Sequence, residues 1–566
     1  MVGSAGAVMS GRDRLVVIVG VIALGLLGAG VLARTGPGPG TGARASPDAA
    51  SLVEGIVGRA TSVNPLEPRN AADLDLIALV FSGLTRSFAD GSVGPDLAES
   101  WTISPDGTVY TFTLRAGLTW HDGVPVSADD VVFTVLTIQN PDYQGPLRAS
   151  WRSVQVEKLD TRTVRFTLAE PVGAFLQATT LPILPAHVLV DVPVAALADA
   201  PFNRQPVGSG PYRLVRLDFD EAELQLADMD RAGDPAAAVL DGAGGRIERI
   251  VVRFFATGED LAEGYRARAV DTAAGLSPDQ AASIATVPQT TVHRYPTTRL
   301  TALVPNVRPG HQLFMPVDVR RALLRALDRD GMIEGLLDGA AERADSPISP
   351  ASWAYDAEST TVYAYDRAAA VKDLEAAGWK QDASGWLTKA GDQVAIGLAT
   401  VDAAGDPLGD TIARTIGAQW SSLGVHTTVV EYGAGGFVAQ LVRGNFDVAL
   451  LNVTMGLDPD VFPLLTSSQA LEGGSNVGGY QSAALDKLLT AARPGVDRAA
   501  RVAAFADLQA ALTRDLPILP IAFADELYVV RSRLNGPSER LIADRSGRFW
   551  DVLTWRLAGG PATEAP

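Results

Sequence analysis

The chain has no cysteine among its 566 residues. That excludes disulfides, thiolate metal sites, a cysteine nucleophile and a lipid-modified cysteine anchor. Histidine is scarce as well. His121, His187, His293, His311 and His426 are the full set, and their spacing matches no metal-ligand pattern. Basic residues are in deficit, 47 Lys and Arg against 65 Asp and Glu, for a formal charge of −18. Such a surface repels nucleic acid and anionic lipid at long range and suits a soluble body outside the cell. The chain also lacks a G-x-S-x-G elbow, an H-E-x-x-H pair and a P-loop. With no nucleophile, metal site or nucleotide loop in view, neither a catalytic residue nor a cofactor is expected.

Long apolar runs are missing too, with one exception. Leu15–Ala33 carries no charge over 19 residues and follows Arg12 and Arg14 in a short basic segment, 1–14. At about 1.5 Å per residue this run nearly spans a ~30 Å hydrocarbon core. It is long for a cleavable signal, so an uncleaved membrane anchor is expected. Val31 and Ala33, or Ala43 and Ala45, still offer small-residue cleavage positions. Either way the preceding arginines favour an N-terminus inside and a body outside the cytoplasmic membrane. Asp13 separates the two arginines, which disfavours twin-arginine export. Arg34–Ala50 is rich in Gly, Pro and Ala and reads as a flexible linker. Residues 559–566 read as a disordered tail.

What is present is material for globular folding. Hydrophobic residues make up 47%, and the length exceeds one ordinary core, so two or three lobes are expected. Val53–Ala60 reads as an edge strand and Asp73–Leu84 as a helix. Thr108–Leu114 is β-branched and aromatic, as strands prefer. Ser127 with Asp130 three residues on reads as a helix N-cap. Val154–Leu159 and Val164–Leu168 flank a hairpin turn. From Thr301 helices and strands alternate. Val317–Leu327, Asp366–Ala377, Asp410–Leu423 and Gly436–Arg443 are helical in period, and His426–Val430 and Phe446–Val453 are strands. That alternation argues for an α/β lobe with parallel strands.

The segment Pro95–Val132, PDLAESWTISPDGTVYTFTLRAGLTWHDGVPVSADDVV, carries the most information. With Val80–Leu84 (VFSGL), Val207–Leu214 (VGSGPYRL), Arg320–Ile333 (RRALLRALDRDGMI), Ala370–Trp379 and Asp458-Pro459-Asp460, it resembles solute-binding protein family 5. These are the extracytoplasmic receptors of peptide, dipeptide and nickel ABC importers. Matches recur in order from about Ser51 to Ala558. The resemblance implies a mixed α/β, periplasmic-binding-protein-like fold of type II, cluster C. That fold is a two-lobed clamp with an extra inserted lobe. Lobe I would comprise 51–73, 172–295 and 517–558, lobe II 74–171 and lobe III 296–516.

The implied function is capture of a peptide or related small organic solute between two lobes, with delivery to an ABC permease and ATPase. The protein would act as a monomer, tethered through its N-terminal segment. A nickel-chelate or other non-peptide solute of the same family is an alternative. So is a sensing domain that signals to a membrane partner. In open α/β sheets the loops after carboxyl strand ends converge on ligands. On that rule the loop Thr454–Asp460 is expected to line the site, with Asn452 and Met455 at its start and Asp458 and Asp460 at its end. Asn306, in the segment from Ala302, and Asn64 and Leu66 are further candidates. Trp353, beside the Pro-rich loop Pro347–Pro350, is another. Asp458 and Asp460 would either neutralise a solute amine or serve as turn and cap residues. In peptide-binding relatives an Asp slightly earlier in this loop holds the peptide amine. Met455 occupies that position here and would favour an apolar or less charged solute. The turn Trp120–Gly123 contains a His-Asp pair, which reads as local hydrogen bonding, not catalysis.

Overall fold

A computed structural model describes residues 51–227, 247–389, 392–471, 473–495 and 497–558. The apolar run Leu15–Ala33, the linker Arg34–Ala50 and the tail 559–566 lie outside the described residues. Among the described residues no helix is long and apolar enough to cross a membrane.

The chain divides into two compact units, with one running over Thr298–Ala524 together with Gln144–Ser150. The other gathers the preceding described residues and Asp525 onward. The chain passes from one unit to the other within two long strands, Thr290–Pro305 and Leu519–Arg531.

In the unit that holds the N-terminal strand, Ser51–Val57 pairs in parallel with Arg249–Phe255 on one side and Thr272–Ala274 on the other. It is therefore an interior strand, not the edge strand expected from sequence. Six of its seven residues are buried, because both flanks carry neighbours and helices cover the sheet. The sheet continues from Arg249–Phe255 through antiparallel Glu221–Leu226 to Tyr212–Leu217. A separate four-stranded antiparallel sheet runs in the order Ala98–Ile103, Val109–Leu114, Thr163–Thr167, Gln155–Lys158. The alternation of Val109–Leu114 buries Tyr110, Phe112 and Leu114 on one face. The expected cap forms as a reciprocal capping box at Ser127 and Asp130 on the helix Ala128–Gln139.

This unit also contains a buried charge cluster that sequence reading did not find. The Arg548 guanidinium donates to Glu54 Oε1 at 2.8 Å and to Asp75 Oδ1 at 2.6 Å. Arg545 Nε donates to Asp75 Oδ2 at 2.8 Å, and the Tyr528 hydroxyl donates to Glu54 Oε2 at 2.7 Å. Glu54 and Arg548 are wholly buried. Two carboxylates and two guanidinium groups balance, so the buried charges are paired rather than stranded.

In the second unit the strands run His426–Tyr432, Ala395–Val401, Val448–Thr454, then the 298–305 part of Thr290–Pro305. The first three are mutually parallel, and the fourth is antiparallel to Val448–Thr454. Helices Pro407–Leu423 and Ala434–Arg443 connect them. The expected βα alternation is present. Its helices begin a few residues earlier than the apolar period alone marks, because Asp406-Pro407 supplies the N-cap and first turn.

Candidate functional site

Three parallel strands end at the same edge of their sheet, and the segments leaving them are the place where an α/β unit recognises a ligand. Asn452, near the end of Val448–Thr454, sits opposite Thr301 across the ladder. Thr301 Oγ1 donates to Asn452 Oδ1 at 2.8 Å, and Asn452 Nδ2 donates to Asp406 Oδ2 at 3.0 Å. Asp406 Oδ1 in turn accepts the Gly409 N–H at 2.9 Å. Asn452 thus braces a strand against a helix cap and remains partly open to solvent.

The loop that follows is held tightly. The Met455 N–H donates to the Thr298 carbonyl at 3.4 Å, and the side chain, 9% exposed, packs into the apolar cluster with Val461 and Leu465. Asp458 accepts both Arg501 Nη1 at 2.6 Å and Arg501 Nη2 at 2.8 Å. This is the bidentate fork that carboxylate and guanidinium geometry favours. Asp460 accepts Arg493 Nε at 3.0 Å and the Phe462 N–H at 3.0 Å. Burial pushes the Asp460 carboxyl up, and the Arg493 charge pulls it back only in part. Trp353 stands edge-on to Phe505, centroids 5.6 Å apart, with the Arg501 guanidinium 5.0 Å from its ring centre. Both carboxylates of the loop are thus engaged by the chain's own arginines, and Trp353 flanks one of these pairs.

Asn306 is fully buried. Its Nδ2 donates to the carbonyls of Gly444 and Phe446, and its Oδ1 accepts the Arg308 N–H. Every side-chain hydrogen of Asn306 is spent on backbone. In the other unit Asn64 Nδ2 donates to Asn203 Oδ1 at 2.9 Å, and Asn64 Oδ1 accepts the Leu66 N–H at 3.0 Å. Leu66 is 1% exposed, and its carbonyl accepts the Tyr143 hydroxyl. The candidates therefore fall into two groups. Asn452, Met455, Asp458, Asp460 and Trp353 cluster around one loop, with Asn306 elsewhere in that unit, and Asn64 and Leu66 form a separate turn.

Thr301, Asp406, Arg493 and Arg501 escaped sequence reading. The two arginines lie 33 and 43 residues from their partners, so no local spacing marks them. Asp406 had a visible signal, the Asp-Pro pair that opens a helix.

The turn Trp120–Gly123 is indeed a hydrogen-bonding element. The His121 N–H donates to the Gly208 carbonyl, and Nε2 lies 3.0 Å from the Gly210 carbonyl. Asp122 pairs with His187 Nε2 at 2.9 Å. The Ser82 N–H donates to Ser209 Oγ. Three segments that marked the chain in sequence therefore meet in one place. Among the described residues no group of three His, Cys, Asp or Glu side chains is placed to hold a metal ion.

Comparison with known proteins agrees with this architecture. The oligopeptide-binding protein AppA of Bacillus subtilis is 28% identical over 531 residues, covering 90% of this chain and 91% of that protein. A dipeptide-binding protein of Pseudomonas aeruginosa is 26% identical, covering 86% of this chain and 92% of its own length. Among solved structures, NikZ from Campylobacter jejuni in complex with Ni(L-His) superposes with a TM-score of 0.71 at 27% identity, covering 90% of this chain and all of that one. Residues 92–473 match the sequence pattern described as bacterial extracellular solute-binding proteins, family 5 Middle. The chain belongs to the family 5 bacterial extracellular solute-binding proteins, which bind solutes and are not enzymes.

Proposed function

We propose that this protein captures peptides or a related small organic solute outside the cytoplasmic membrane and delivers them to the permease of an ABC importer. The observation that carries this reading is similarity along nearly the whole length to an oligopeptide-binding protein, with about nine-tenths of each chain covered. The solute would meet the Asn452–Asp460 loop, whose carboxylates already hold arginines, so this loop recognises neutral or apolar parts of the solute. Asn64, Leu66, Asn306 and Trp353 act by holding the surrounding backbone. The self-contained sheet spanning Ala98 to Thr167 supports an inserted lobe over 74–171. The uncharged run Leu15–Ala33 behind Arg12 and Arg14 supports export to, and retention at, the outer membrane face.

The test is a thermal-shift screen of the full chain against a peptide library and against sugars and metal chelates, followed by native mass spectrometry of co-purifying compounds. Binding raises the melting temperature in proportion to occupancy. A shift confined to sugars or chelates would remove the peptide reading.

A further inference from the structure

The turn that contains Asn64 and Leu66 holds one group that its own chain leaves unsatisfied. Residues 61–70 are otherwise tied down. The buried Asp73 carboxylate accepts the N–H groups of Thr61 at 2.6 Å, Ser62 at 3.0 Å and Arg69 at 2.7 Å. The Asn64 carbonyl accepts the Glu67 N–H at 3.0 Å. Pro65 and Pro68 fix two further φ angles. Glu67 sits in the middle of this rigid stretch. It is half-buried, and its carboxylate makes no hydrogen bond or ion pair with any described residue. The nearest cation is occupied elsewhere: the Arg69 guanidinium donates to the Ala198 carbonyl and lies 3.6 Å from Asp199.

We propose that Glu67 is a specificity residue that receives a cationic nitrogen of the solute, a primary amine above all. The proposal rests on the solute-binding reading given above. A carboxylate that is partly desolvated yet unpaired recovers its lost hydration when a donor cation arrives, and charge-assisted hydrogen bonds are the strong ones. Burial holds the Glu67 carboxyl above its ordinary range, with Arg69 lowering it only in part. Preorganisation adds to this, since the backbone that carries Glu67 need not be ordered on binding. The contrast with Asp458 and Asp460 is direct: those acids are spent on Arg501 and Arg493, and Glu67 is not.

The experiment measures calorimetric affinities of the full chain for trialanine, N-acetyl-trialanine and n-butylamine, in the wild type and in Glu67→Gln and Glu67→Asp. Trialanine is expected to bind wild type at least about 10-fold tighter than its acetylated form. Glu67→Gln abolishes that preference without changing the melting temperature of the free protein, and Glu67→Asp retains part of it. Equal affinity for the two peptides in wild type overturns the proposal and leaves the peptide reading intact. A preference that survives Glu67→Gln does the same. Glu67-dependent binding of n-butylamine with neither peptide bound upholds the proposal and overturns the peptide reading. Failure of all three probes to bind overturns the proposal.

Discussion

At the residue scale, the acids around the candidate loop are defined by their partners. Asp458 is 10% exposed and the Arg501 it grips is 8% exposed. Removing one member of such a buried pair strands the other. Asp458→Ala is therefore expected to lower the unfolding free energy by about 3–5 kcal/mol. Urea denaturation monitored by tryptophan fluorescence reads this directly, and a loss below 1 kcal/mol would mean that the pair does not fasten the loop. Asp458 and Asp460 are plain in the sequence as a turn. Whether they face a solute or an arginine depends on residues 493 and 501, which no spacing rule connects to them.

Elements are fitted to one another by the absence of side chains as much as by their presence. A Cβ built on Gly208 would lie 2.0 Å from the Val80 carbonyl oxygen, and one on Gly210 would lie 2.5 Å from the Phe81 nitrogen. Neither glycine has a positive φ, so their role is close approach and not a special turn. Sequence reading of these glycines allowed both explanations, and tertiary contact selects one. Gly210→Ala is expected to push the start of the strand Tyr212–Leu217 off the end of the helix Ala71–Val80, costing about 1–3 kcal/mol by overpacking. A thermal melt checks this, and an unchanged melting temperature would contradict it. Ser127→Ala removes the capping box of the helix Ala128–Gln139 and should cost about 1 kcal/mol in the same assay.

At the scale of the whole molecule, the first strand and the last helical segment depend on each other. Glu54 and Asp75 are buried against Arg548 and Arg545, almost five hundred positions away in the chain. Deleting residues 541–566 removes both cations and leaves two buried carboxylates uncompensated. The truncated protein is expected to accumulate as insoluble or proteolysed material, and recovery of a soluble, cooperatively melting form would refute the role assigned to the cluster. Mild acid should act in the opposite direction. Burial raises the carboxyls of Asp73, Asp130, Asp271, Asp460 and Asp551 above their ordinary value near 3.8. A folded state with raised carboxyl values binds more protons than the unfolded chain between the two values. The stability these groups contribute is complete below the unfolded value and is lost as pH rises through the folded ones. Partial neutralisation of the −18 net charge works the same way. The melting temperature should be higher at pH 5 than at pH 8, and scanning fluorimetry at the two values decides it.

Composition, motif order and apolar period by themselves determined the class of the protein, the α/β alternation after Thr301 and the capping box at Ser127. These depend on residues near each other in the chain or on whole-chain averages. Only the tertiary structure decided that Ser51–Val57 lies inside its sheet, that Asp458 and Asp460 are neutralised from within, and that Glu67 is left unpaired. Each depends on which distant side chain arrives at a given place, and packing, not local preference, brings it there.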